Sequence, residues 1–180
     1  ARRPAVINRG ATLGDDQLHR HASAFAEWLQ EHADLRAGVR IAVQMPNGLR
    51  FPIAVFGALM AGLVVVNTNP LYTVREMRHQ FKDSGARALV YLNMFGKLVQ
   101  EVLPDTEIAF LIEAKLGDLM PAAKGWLVNT LVDKVKKKVP AFDLPQAIQL
   151  KRALALGRGH TPTPVPLSLD HVAVLQYTGG

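Results

Sequence analysis

Leu63-Val64-Val65-Val66 is a continuous apolar run with no polar alternation, and Asn67-Thr68-Asn69-Pro70 closes it with turn-forming residues. A strand facing water on one side would alternate; a run apolar at every position is covered on both faces, as in a parallel sheet. Parallel neighbours need a crossover between them, usually a helix. The flanking sequence supplies one on each side. Phe51 to Ala61 is mostly apolar, tolerates Pro52 in its first turn, and hands over to the strand through Gly62. Beyond the turn, Thr73-Val74-Arg75-Glu76 predicts a capping box, in which hydroxyl and carboxylate each satisfy the other's exposed backbone N–H. Val74, Met77 and Phe81 bury one face of that helix, and Gly85 ends it.

The same rhythm extends both ways. Upstream, Asp15 to His32 places Leu18, Ala22, Phe25 and Leu29 at helical spacing, with Gln17, Arg20, Glu27 and Gln30 elsewhere on the wheel. Gly38 turns into the β-branched strand Val39 to Met45, which Pro46-Asn47-Gly48 breaks. Downstream come a strand at Ala88 to Leu92, a helix at Met94 to Leu103 and a strand at Ile108 to Ile112. This alternation predicts an α/β fold, a largely parallel sheet flanked by helices. After Ala114 the pattern loosens: a long helix is expected over Pro121 to Val139 and a shorter one over Leu144 to Leu156. Gly157 to Pro166, with Pro162, Pro164 and Pro166, reads as an extended connector to a last strand, Val172 to Tyr177. The expected organisation is an α/β core over 1–114, a helical insertion and connector over 115–166, and a strand entering a loop over 167–180.

At 180 residues, 49% hydrophobic and 20% charged, the chain can bury a core and is not disordered. No apolar run reaches the roughly 18–20 residues of a membrane span; Phe51 to Val66 is interrupted by Pro52, Gly57 and Gly62. Ala1-Arg2-Arg3-Pro4 does not open a secretory signal, although a leader already removed stays compatible with it. The absence of cysteine rules out disulfides and thiolate metal sites and fits a cytoplasmic protein. The net charge of +6 and pI near 9.8 suggest an anionic partner. Nucleic acid is disfavoured, because the twelve aromatic residues do not interleave with the basic ones as a base-stacking platform would need.

Two places invite a functional reading. The first is the last strand, which opens into Thr178-Gly179-Gly180. A hydroxyl followed by paired glycines lets backbone N–H groups approach phosphate oxygens, although a strand meeting Gly-Gly is also an ordinary turn. The second is Gly125 to Phe142, where Leu127, Val128, Leu131, Val132, Val135 and Val139 form an apolar stripe. Trp126 flanks it, and Lys134, Lys136, Lys137 and Lys138 crowd its end. Such a stripe ordinarily packs on a neighbour while its lysines oppose the helix dipole. The competing reading is an interfacial helix on an anionic membrane surface. His19 and His21 point about 200° apart on a helix and do not chelate together, and no metal site is read among the six histidines. Asp83 and Glu76 read as helix-end and capping residues, and Asn67, Asn69 and Pro70 as holders of a turn.

Asn67-Thr68-Asn69-Pro70-Leu71-Tyr72-Thr73, with Arg75-Glu76-Met77, His79-Gln80 and Asp83-Ser84-Gly85-Ala86, closely resembles a stretch of the bacterial long-chain fatty-acid–CoA ligases, the FadD type of the adenylate-forming superfamily. Arg40 to Asn47 is similar to the superfamily's R-V-A-x-x-M-P-N, and Phe56 to Gly62 to its F-G-x-L-R-A-G, with Met60 where a basic residue is usual. Ala122 to Gly125 and Val139 to Pro145 resemble the long-chain subgroup. Leu175-Gln176-Tyr177-Thr178-Gly179-Gly180 matches the opening of Y-T-G-G-T-T-G-x-x-K-G, with Gly179 where other superfamily members commonly have serine.

This resemblance implies the front part of a large N-terminal domain. It implies ATP, Mg²⁺ and CoA as co-substrates, with a fatty acid activated as its acyl-adenylate and passed to CoA. Tyr177, Thr178, Gly179 and Gly180 would begin the ATP-binding loop; the loop lysine, metal-binding glutamate, adenine contacts and most of the acyl tunnel would lie beyond. No catalytic residue is expected within the 180, and on their own they should be inactive. A homodimer and a peripheral contact with the anionic inner membrane are compatible with it. Two alternatives stand beside this reading: a ligase for a medium-chain or aryl acid (or a relative that does not use CoA), and a non-enzymatic basic membrane-surface module.

Overall fold

A computed structural model describes residues 4–8, 11–120, 122–132 and 140–178. The chain starts with an antiparallel hairpin, β1 (Pro4–Asn8) and β2 (Ala11–Gly14). There follow α1 (Asp15–Glu31), β3 (Arg40–Gln44), α2 (Arg50–Met60), β4 (Val64–Asn67), α3 (Val74–Ser84) and β5 (Ala88–Leu92). Then come α4 (Gly96–Val102), β6 (Phe110–Ala114), α5 (Ala122–Thr130), β7 (Ile148–Gln149), α6 (Leu150–Leu156) and β8 (Val174–Gln176). Strands β3 to β8 form one sheet in the order β7-β6-β5-β3-β4-β8, parallel at every pairing.

The unbroken apolar strands have the expected consequence: alternate residues serve opposite faces. Ile41, Val43, Val65, Val90, Leu92 and Ile112 pack beneath α1, α2 and α6. Ala42, Val66, Leu89, Tyr91 and Leu111 pack beneath α3 and α4. The sheet is thus the middle of three layers. Helix α2 lies against α1 through Gly57, where an added Cβ would sit 2.8 Å from Cδ1 of Phe25 and 2.9 Å from the Ala22 carbonyl. Helix α3 begins and ends as its sequence predicts. Thr73 caps it by accepting from the Glu76 N–H, the Glu76 carboxylate accepts from the Thr73 N–H at 2.7 Å, and Gly85 stops it in the left-handed region at φ 61°.

Several expectations are corrected. The antiparallel pair of Pro4–Asn8 with Ala11–Gly14, set against α1, was not anticipated from sequence. Glu27, placed off the apolar face, is 5% exposed because α6 covers that side of α1 and Gly157 packs against the Ala24 carbonyl. The strand expected at Ile108 to Ile112 lies two residues later, its register set by Ala88 opposite Phe110. The helix expected from Leu144 starts only at Leu150, since Ile148 and Gln149 instead pair with Ile112 and Glu113 as β7. Helix α5 is described over Ala122–Thr130; Pro121 and residues 133–139 of the expected long helix lie outside the described residues. The proline-rich connector is held down. Gln30 exchanges two hydrogen bonds with the Thr163 backbone, at 3.0 and 2.9 Å, and Val165 packs on Gly62.

Candidate functional site

The chain leaves β3 toward α2 on one face of the sheet and leaves the neighbouring β4 toward α3 on the other. The carboxyl ends of the two strands therefore part, and open parallel sheets bind ligands in such crevices. A cavity of about 470 Å³ lies there, lined by the exits of β3 (Met45, Pro46, Asn47), β4 (Asn67 to Pro70) and β8 (Gln176, Tyr177), with Phe51. It shares Tyr72 and Tyr177 with an adjoining groove of about 770 Å³, whose other walls are Thr73, Arg75, Glu76, His79, Gln80 and Thr178.

The turn after β4 is built by its asparagines. Asn69 accepts the Leu71 N–H on its side-chain oxygen at 3.0 Å, a local turn of the kind asparagine favours. Asn67 reaches sideways, its Nδ2 donating to Oε1 of Gln176 at 2.9 Å, while its carbonyl accepts from Nε2 of buried Gln80 at 3.0 Å. Asn67 is therefore more than a turn residue: it ties β4 both to α3 and to the strand that leads into Thr178.

Tyr177 packs its ring against the α3 side of the core and donates its hydroxyl to Oδ2 of Asp83 at 2.5 Å. Burial against the helix, then the Asp83 carboxylate, push its phenol up to about 12, so it is a donor at neutral pH. Glu76 is held below the usual carboxylate range by its two hydrogen bonds from Thr73. Tyr177 and Thr178 both line the crevice; Gly179 and Gly180 lie outside the described residues. Arg75, His79, Gln80 and Gln176 stand in the stretches that carry the family resemblance but were given no site role from sequence. Arg75 and His79 are an exposed i,i+4 pair on α3, and that spacing was the available signal, whereas Gln80 is buried and turned toward the Asn67 carbonyl.

Trp126 belongs elsewhere. It lines a separate cavity of about 460 Å³ with His21, Asp118, Lys151 and Arg158, sharing no residue with the crevice. Buried Arg50 fixes the loop before α5, donating to the carbonyls of Leu116 at 2.7 Å and Asp118 at 3.2 Å. Burial raises the Asp118 carboxyl and lowers Arg50. Gly125 packs directly on Gly117, whose N–H donates to Oδ1 of Asn129 at 2.7 Å. Of the apolar stripe, Leu127 is 50% exposed and Leu131 39% exposed among the described residues, and the flanking Trp126 is 70% exposed; Val135 and Val139 lie outside the described residues. Lys134, Lys136, Lys137 and Lys138 lie outside the described residues. His19 is exposed and His21 half-buried, as their opposed directions on α1 require. Among the described residues, no group of three carboxylate or imidazole side chains is placed to hold a metal ion, and no helix is long and apolar enough to cross a membrane.

A three-layer α/β unit with a crevice at the strand exits, lined in part by Tyr177 and Thr178, defines an open parallel-sheet class of protein that binds ligands at the carboxyl edge of its sheet. The model of the family described as AMP-binding enzyme matches residues 1–180, and the chain belongs to that family. It is 42% identical over its whole length to a long-chain-fatty-acid–CoA ligase of Escherichia coli O157:H7 and 43% identical to one of Yersinia pestis. In both cases it spans 32% of the relative's length. A solved long-chain fatty-acid–CoA ligase from Archaeoglobus fulgidus shares the fold at TM-score 0.69 and 18% identity, over 98% of this chain and 30% of that one.

Proposed function

We propose that these 180 residues are the front part of an AMP-forming ligase that activates long-chain fatty acids. A carboxylate oxygen of the acid attacks the α-phosphorus of ATP and pyrophosphate leaves; the CoA thiolate then attacks the acyl carbon and AMP leaves. Adenylation replaces a poor leaving group with a good one, and the protein's part is to hold phosphates and acid in line. Thr178, with Gly179 and Gly180 after it, opens the loop that grips the phosphates, and Tyr177 sets its starting point. The observation carrying this reading is the position of Thr178 at the carboxyl edge of the sheet, in a chain 42% identical throughout to a long-chain ligase. Among the described residues, no cluster of carboxylates is placed to hold the Mg²⁺ that the reading implies.

The test is pyrophosphate release by the whole protein with ATP and oleate, followed by thioester formation on adding CoA. The 180 residues alone should remain at background. Turnover with benzoate or octanoate but not oleate would replace the long-chain reading by an aryl or medium-chain one.

A contact with membrane is a second part of the reading, favoured by the exposure of Trp126 and Leu127 on α5, just ahead of four lysines. An acid that partitions into bilayers would then be collected where it accumulates.

A further inference from the structure

We propose that Asp83 is a positioning residue for the phosphate loop, acting through the hydroxyl of Tyr177. The proposal rests on the reading of Thr178 as the start of that loop. Strand β8 is three residues long and, among the described residues, pairs only with β4. So short a ladder leaves the orientation of the next residues to side chains. Tyr177, immediately before Thr178, is fastened 94 positions back in sequence, to Asp83. Helix α3 is a firm anchor. Met77 and Phe81 are fully buried, the Thr73–Glu76 box closes its start, and Gly85 closes its end.

The place of Asp83 on the helix argues the same way. It is the penultimate residue of α3, where a negative charge opposes the partial negative charge of the helix C-terminus. It does not cap: the terminal carbonyls of Phe81 and Lys82 take the Gly85 N–H, and Phe81 also takes the Ser84 hydroxyl. Nor does it line either part of the crevice. Its carboxylate faces a small recess of about 260 Å³ shared with Arg40, Ser84 and Tyr177. A charged acceptor makes the stronger and more directional bond to a phenol, which is what holding Tyr177 in one rotamer requires. Asp83 transmits the position of α3 to the residue that aims Thr178.

The test compares Tyr177→Phe, Asp83→Ala, Asp83→Asn, the Tyr177→Phe/Asp83→Ala double variant and Thr178→Ala in the whole protein. The readouts are KM for ATP, KM for the fatty acid, kcat for pyrophosphate release, and Tm. Tyr177→Phe and Asp83→Ala should each lower kcat/KM for ATP about five- to tenfold, leaving KM for the fatty acid and Tm unchanged. The double variant should be no worse than either single one, because both remove the same bond. Asp83→Asn, which keeps an acceptor, should recover part of the loss. Losses that add in the double variant, or a fall in Tm with both substrates affected equally, overturn the proposal. If Thr178→Ala impairs ATP use while Asp83→Ala does not, the proposal fails and the loop reading stands. If Thr178→Ala is also without effect, the loop reading fails, and the proposal with it.

Discussion

Asn67 and Gln176 face each other across the parallel β4–β8 pair, joined by a side-chain hydrogen bond of 2.9 Å. The bond links two stretches 109 residues apart, the Asn-Thr-Asn-Pro turn and the strand that enters Thr178. Behind it, Gln80 donates to the Asn67 carbonyl, so helix α3, strand β4 and strand β8 are fixed in series at the floor of the crevice.

Asn67→Ala removes the cross-strand bond and leaves the ladder intact. A single cross-strand pair is worth roughly 0.2–1 kcal/mol, so the urea midpoint of the whole protein should move little. kcat/KM for ATP should nevertheless fall several-fold, because β8 loses a side-chain tie just before the loop. Gln80→Leu should be the harsher change. It strips the part-buried Asn67 carbonyl of its donor, an effect of about 1 kcal/mol that should be visible in urea unfolding.

The start of α3 gives a prediction with a pH sign. Thr73→Ala should destabilise by about 1 kcal/mol, the usual effect of losing a hydroxyl N-cap. Glu76 has its pKa lowered in the folded protein by the Thr73 hydrogen bonds. Its contribution is therefore complete above the ordinary glutamate value of about 4.3 and lost as pH falls below it, through the folded-state value. Glu76→Gln should reduce stability near neutral pH and flatten the acid limb of the stability curve measured by urea unfolding between pH 6 and pH 3. An unchanged acid limb would remove the carboxylate from the cap.

Much of this fold is legible locally. Val64 to Val66 and Ala88 to Leu92 are apolar at every position because both faces are covered, and that pattern is visible in a window of five residues. The helix α3 is bounded by the Thr73–Glu76 box and by Gly85, both short-range signals. What stayed hidden is non-local. Ile148 and Gln149 become strand only because Ile112 and Glu113 offer an open edge, and nothing in their neighbourhood announces it. The site divides in the same way. Thr178 is marked by the glycines after it, whereas Asp83 and Asn67 gain their roles from partners 94 and 109 residues away.

Gly57 sits where α1 and α2 touch most closely, with the Ala22 carbonyl and the Phe25 ring both within 3 Å of a would-be Cβ. A backbone oxygen and a fully buried ring cannot move aside without parting the helices. Gly57→Ala should cost about 1–3 kcal/mol despite alanine's better helix propensity, as overpacking of a close contact does. A lowered urea midpoint with ATP kinetics unchanged at low temperature would place the effect in the layer beneath the sheet, away from the crevice. A neutral or stabilising outcome would mean that the two helices are free to separate.

Membrane association is testable through the lysines that follow α5 in sequence. Trp126 and Leu127 present apolar surface outward, and Lys134, Lys136, Lys137 and Lys138 follow within twelve residues of Trp126. Each lysine near an anionic surface contributes about 1 kcal/mol, so neutralising three of them removes most of the electrostatic part of the attraction. Changing Lys136, Lys137 and Lys138 to Gln in the whole protein should sharply reduce sedimentation with vesicles containing phosphatidylglycerol. The difference should be largest at low salt, because added salt screens the same attraction. Trp126→Ala should weaken binding at every salt concentration, since its contribution is apolar. Turnover of a soluble shorter-chain acid should be unaffected by the triple change, because the Trp126 cavity shares no residue with the crevice. Equal binding of wild type and triple variant at low salt would show that the lysines are ordinary solvated surface.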